Sequence, residues 1–145
     1  MDATETGGNP LAGPGARAPT LKIAYVLPNI EAGGAEGHLL SLARLLDRSR
    51  FSPFLFTTAG GGSLYDSFCS LLPVSVIGDP LQARPRRPRN PFIHLQAIRE
   101  LADAFRGRSP DIVHSYLPAA NVLGTFAARW AGIPRVVVSK RSLPD

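Results

Sequence analysis

Three observations predict an α/β fold with a doubly wound parallel sheet, a Rossmann-like domain of about five strands. Short apolar runs recur along the chain, amphipathic helical patterns separate them, and Gly- or Pro-containing breaks punctuate the joins. Strands spaced by helices need crossover connections. Right-handed crossovers place helices on both faces of a parallel sheet. The expected strand order is 3-2-1-4-5, with ligands bound beyond the carboxyl ends of the strands, where that order reverses.

The first run, LKIAYVL (21–27), is nearly continuous in apolar residues, as in a strand buried on both faces. A break over residues 28–34 follows, and AEGHLLSLARLLD (35–47) carries Leu39, Leu42, Ala43 and Leu46 at helical spacing. FSPFLFTTA (51–59) is the second strand, ended by GGGS (60–63). Leu64 to Leu72 forms a short helix, and PVSVIG (73–78) a third strand. Asn90 and Pro91 read as an N-cap and first helical residue of a helix that turns Leu95, Ile98, Leu101, Ala102 and Phe105 to one face. DIVH (111–114) is the fourth strand. Pro118 opens a helix with Val122, Leu123, Phe126 and Trp130 inward and Gly132 as its stop, and RVVVS (135–139) is the fifth strand.

The 145 residues suffice for one domain with a core, and 44% hydrophobic against 19% charged residues excludes a chain that is disordered throughout. The leader, residues 1–20, is rich in Gly, Pro, Ala and Thr and reads as disordered. It places Asp2 and Glu5 where a secretory signal needs bases, and no apolar run is long enough to cross a bilayer. The expected compartment is the cytoplasm. The one cysteine, Cys69, sits among Phe68, Leu71 and Leu72 and reads as a buried hydrophobe rather than a nucleophile.

Much of the net charge of +5 comes from ARPRRPRN (83–90). Alternation with proline favours an extended solvated loop, or one that touches acidic lipid head groups at a membrane surface or another anion. No nucleic-acid partner is expected, because the charge is local to that loop.

The candidate site follows from the topology. Residues just past strands one, four and five converge on one edge of the sheet: Gly33, Gly34 and Glu36, then His114 to Tyr116, then Ser139, Lys140 and Arg141. Two adjacent glycines before a helix make a tight turn, or they admit an anion to the amides of the first turn. Glu36 either caps that turn or receives a sugar hydroxyl. The loop is neither G-x-G-x-x-G nor a phosphate loop ending in Lys-Ser/Thr. His114 closes an apolar strand and is either a hydrogen-bonded core residue or a cleft residue. Tyr116 is read in the loop at the ligand edge. His38 is expected at the surface, and His94 and Trp130 are read as structural. No metal site is expected from three scattered histidines.

Taken together and in order, GGAEGHLLSLARLL (33–46), DIVHSYLPAANVLGTFAARWAGIPRVVVS (111–139) and KRSL (140–143) resemble the N-terminal domain of family-4 glycosyltransferases. The resemblance runs from about Leu21 to Leu143. It implies a retaining hexosyltransferase of the GT-B fold, built from two Rossmann-like domains, that acts on a nucleotide-sugar as co-substrate with no other cofactor and no metal. It also implies a saccharide or lipid-linked acceptor on this half, a role in polysaccharide and cell-envelope synthesis, and a donor site mainly on a C-terminal domain that this sequence lacks. That half would be supplied in cis or by a partner chain, and the chain alone is expected to be an inactive fragment or one part of a split enzyme.

By the same resemblance Gly33 and Gly34 approach donor phosphates or acceptor, His114, Ser115 and Tyr116 face the cleft, and Asn121 bonds a hydroxyl or caps the loop. Two departures stand out. Gly37 and His38 follow GGAE where a basic residue is usual, and Lys140 and Arg141 occupy the place of a cleft histidine, where they would hold an anionic group. No general base is named. Rival readings are a non-catalytic nucleotide- or anion-binding module and a nucleotide-dependent oxidoreductase, the latter disfavoured by the missing glycine fingerprint.

Overall fold

A computed structural model describes residues 19–78 and 92–140. Most of the leader, the arginine loop, the Asn90–Pro91 cap and Arg141 lie outside the described residues.

Strand β1 (Leu21–Leu27) is where the fold is organised, because its residues alternate between two cores. Ile23, Tyr25 and Leu27 enter one, while Ala24 and Val26 enter the other. Around it lie β2 (Phe51–Thr57), β3 (Val74–Val76), β4 (Ile112–Tyr116) and β5 (Arg135–Ser139), all parallel, in the order β3-β2-β1-β4-β5. The predicted order and class are those observed. Helices α1 (Gly34–Leu45) and α2 (Tyr65–Cys69) follow β1 and β2, and α3 (Phe92–Arg108) and α4 (Pro118–Ala131) follow β3 and β4. The α1 core is filled by Leu39, Leu40, Ala43, Leu55 and Phe68. The other takes Phe54, Phe56, Leu101, Phe105, Val113 and the small residues of α4. Phe105 is fully buried with its ring edge-on to Phe56 at 5.4 Å.

Several expectations are corrected. Helix α4 turns Ala120, Gly124, Ala127 and Ala128 inward, and leaves Val122, Phe126 and Trp130 exposed. Close approach decides this: a Cβ at Gly124 would stand 3.2 Å from the Ser115 Cβ, so only the small-residue face fits against β4. Leu95 is likewise exposed on α3. Cys69 is exposed, because the short α2 spends its inward position on Phe68 and the next residue turns out to solvent. Tyr116 belongs to β4, which runs two residues further than predicted, and is buried. Gly132 does stop α4: at φ 78° it takes the left-handed conformation, and its N–H and that of Ile133 bond back to Arg129 and Ala128 carbonyls.

Replacing Phe105 by Ala should cost about 3–5 kcal/mol in urea unfolding, whereas Leu95→Ala should stay within about 0.5 kcal/mol. Comparable losses at the two positions would contradict the described burial of α3.

Candidate functional site

The carboxyl ends of β1, β4 and β5 carry a layer of rings on the α1 side of the sheet. Register puts Tyr25 beside His114, and Tyr116 beside Ser139. The His114 ring stacks on Tyr116 at 4.5 Å between centroids and lies 5.6 Å from Tyr25, while His38 of α1 stands 6.2 Å from Tyr116. Residues 38 and 114, far apart in sequence, thus flank one tyrosine.

Half-buried His114 meets the Ser139 hydroxyl through Nε2 at 2.8 Å. Ser139 in turn accepts a hydrogen bond at its carbonyl from Asn121 Nδ2, 3.2 Å away. Asn121 therefore ties the first turn of α4 to the end of β5 and so indirectly to His114. Its own Oδ1 is buried without a hydrogen-bond partner, as is the hydroxyl of Ser115. The backbone leading there is strained. Leu117 joins β4 to α4 at φ 72° and ψ 150°, a region that side chains other than glycine's seldom occupy.

Burial, and secondarily the charge of nearby His38, lower the His114 pKa below its ordinary 6.5, so the ring is neutral at pH 7 and retains a lone pair. Tyr25 is pushed up to about 12, first by burial and then by Tyr116, with Arg48 opposing, and stays protonated.

The double glycine resolves into two different roles. Gly33 is extended, at φ −152°, so no left-handed conformation calls for it. Space does, since a Cβ there would run into Glu36 Oε2. The buried Glu36 carboxylate folds back over Gly33 at the positive end of α1, which fits its reading as the acid of the first turn. Gly34 has nothing within 4 Å of the place a Cβ would occupy, and its backbone is open to an incoming group. The loop is braced from beneath: Ser63 Oγ accepts from the Ala32 N–H at 2.9 Å, Glu31 Oε2 accepts from the Ser63 N–H at 3.3 Å, and Leu64 donates to the Ile30 carbonyl at 3.1 Å.

Of the predicted site residues, Gly34, His114, Asn121 and exposed Lys140 gather at this edge together with Gly33 and Glu36. Tyr116 lies beneath them as a buried support, and Arg141 is outside the described residues. Sequence reasoning missed Ser139 as the partner of His114, and the Ser63–Glu31 brace. Their signals were a hydroxyl on the last residue of the fifth strand and a serine closing GGGS. Recesses of about 330 and 390 Å³, lined respectively by Arg48 and Arg108 and by Arg106 and Asp111, open at the opposite edge. They touch none of the predicted site residues.

Solved structures share this fold. A glycosyltransferase from Rickettsia africae ESF-5 superposes with TM-score 0.60 at 18% identity, over 87% of this chain and 32% of its own. The lipopolysaccharide outer core galactosyltransferase WaaB in its apo form gives 0.63 at 12% identity, over 81% and 32%. Acinetobacter baumannii MurG gives 0.62 at 20% identity, over 83% and 34%. At these identities the likeness is one of fold, and this chain spans about a third of each neighbour's length. The fold so defined is a Rossmann-like half of a GT-B fold. A search of curated proteins returns no match. The profile of Glycosyltransferase Family 4 covers residues 32–143, from the glycine loop to just past β5, and the chain belongs to that family.

By NMR, His114 should titrate below 6.5, and His38→Gln should move it back upward. A histidine with a lowered folded pKa binds fewer protons folded than unfolded, so stability should fall as pH drops from 6.5 through the folded value. His114→Gln should flatten that slope in urea unfolding at a series of pH values. An unaltered slope would assign the pH dependence to another group.

Proposed function

We propose that this chain is the acceptor-side half of a retaining glycosyltransferase that moves a sugar from a nucleotide-sugar to a saccharide or lipid-linked acceptor. The observation that carries the reading is the family match over residues 32–143, which takes in the glycine loop, the His114 strand and the end of β5. In this reading the open backbone at Gly34 and the first-turn amides of α1 meet the donor diphosphate or an acceptor oxygen. Neutral His114, held through Nε2 by Ser139, presents its other ring nitrogen to a hydroxyl. Lys140 supplies positive charge where the leaving diphosphate or an anionic acceptor lies. Donor-binding groups come from a second Rossmann-like domain outside this sequence, in cis or as a partner chain. Support for that comes from the share of each structural neighbour covered, about a third.

Among the described residues no helix is long and apolar enough to cross a membrane. Acceptors presented at the inner face of a membrane would be met peripherally, with the basic stretch 83–90 as the contact.

The purified chain, mixed with nucleotide-sugars and lipid or saccharide acceptors, should give no turnover. Turnover without a second protein would overturn the half-enzyme reading. Gly34→Val should leave the far-UV circular dichroism unchanged, since nothing lies within 4 Å of that Cβ, and should weaken nucleotide-sugar or acceptor binding in calorimetry about tenfold or more. Undiminished binding would remove the loop from the site.

A further inference from the structure

We propose that the recess at the amino edge of the sheet, over the start of β2, is a second anion site that takes a phosphate monoester between the guanidinium groups of Arg48 and Arg108. This inference stands apart from the sugar-transfer reading.

Strand register and two prolines open the recess. Strand β2 pairs with β1 from its first residue, Phe51 against Leu21, but β3 joins β2 only at Leu55, opposite Val74. The Leu55 N–H bonds the Pro73 carbonyl at 2.9 Å. One step earlier the ladder ends, because neither Pro53 nor Pro73 has an N–H to give. Residues 51–54 thus have β1 on one side and, among the described residues, no strand on the other. The space left there, about 330 Å³, is lined by Phe51, Ser52, Pro53 and Pro73 together with Arg48 and Arg108. That volume suits a small organic anion. Strands β1 and β4 separate it from β5, and it lies at the opposite edge from the glycine loop.

The two arginines arrive from opposite faces of the sheet. Arg48 follows α1, and its Nη2 donates to the Ala43 carbonyl at 2.8 Å and the Leu71 carbonyl at 3.0 Å. Arg108 ends α3, with its guanidinium over the Phe54 ring, 5.2 Å from the centroid, and its Nη2 donating to Ser75 Oγ at 3.3 Å. Neutral groups hold both heads in place. Among the described residues neither arginine has an ion-pair partner, and no hydrogen bond uses Nε or Nη1 of either. Each therefore keeps donors for a ligand.

Charge decides the ligand class. The carbonyl ends of α1 and α3 reach this edge, each with about half a negative charge. Asp47 and Asp111 add two carboxylates, but neither lines the recess. Asp47 accepts from the Ser49 N–H and hydroxyl, and Asp111 from the Lys22 N–H. Against these stand Arg48, Arg108, Lys22, whose Nζ reaches the Arg108 carbonyl, and Arg50, which lies over the Phe51 ring. Positive charge is in excess. Two held guanidinium forks match the oxygens of a phosphate dianion, and the Phe51 and proline walls take the organic group that the phosphate carries.

Phenyl phosphate titrated into the full chain should shift the backbone NMR signals of Ser52, Phe54 and Val74 and leave those of Gly34 and Ala35 in place. Arg108→Gln should raise its Kd about tenfold or more with unchanged far-UV circular dichroism, and Arg48→Gln should act in the same direction. Arg106→Gln, an equal change of charge outside this recess, should leave the Kd unaltered. Affinity should fall below about pH 6, where a phosphate monoester takes up its second proton. Phosphatidylcholine vesicles with and without phosphatidate separate the two sources of such a group. Co-sedimentation that requires phosphatidate and is lost in Arg108→Gln assigns the site to a lipid head group, whereas phenyl phosphate binding without it assigns the site to a soluble ester. Binding of neither probe, shifts at the glycine loop in place of Ser52, or an equal loss in Arg106→Gln would overturn the proposal.

Discussion

Burial of β1 on both faces, with a neighbour hydrogen-bonded on each edge, is the constraint on which the rest of this structure depends. A strand so placed cannot shift by one residue without exchanging its two cores, since Tyr25 and Leu27 would swap sides with Ala24 and Val26. Its carboxyl end is therefore fixed, and the glycine loop leaves it at the point where β2 lies to one side and β4 to the other. Everything assigned to the site is placed relative to that point.

The polar groups there are held by secondary structure rather than by one another's charges. His114 is oriented by a serine on the adjacent strand, that serine by an asparagine on the following helix, and the glycine loop by the GGGS turn beneath it. Burial, seconded by His38, leaves the imidazole so oriented uncharged, a state suited to meeting a hydroxyl group. The strained Leu117 backbone lies in the same place, where the chain must turn from a buried strand into α4 within one residue.

Helix α4 shows a choice made by packing against hydrophobicity. Its larger apolar stripe would bury more surface per side chain, but the sheet admits only the stripe of Ala and Gly, because the helix axis must come close enough for its preceding strand and following strand to remain neighbours. The large residues are displaced outward, onto the flank beside β5, the last strand among the described residues. Burial of a helix face is thus decided by the shape of the available gap before it is decided by hydrophobic content.

The α/β class, the strand order and the edge at which Gly34, His114 and Lys140 meet were legible from the sequence alone. They follow from local periodicity and from chain-connection rules that need no side-chain detail. The partner of His114, the outward face of α4, the exposure of Cys69 and the burial of Tyr116 were decided only in the tertiary structure. Each depends on which of two chemically acceptable faces fits a particular gap, or on two residues distant in sequence arriving within hydrogen-bond reach. Periodicity marks which residues can share a face, but only close packing and the register of neighbouring strands determine what that face will touch.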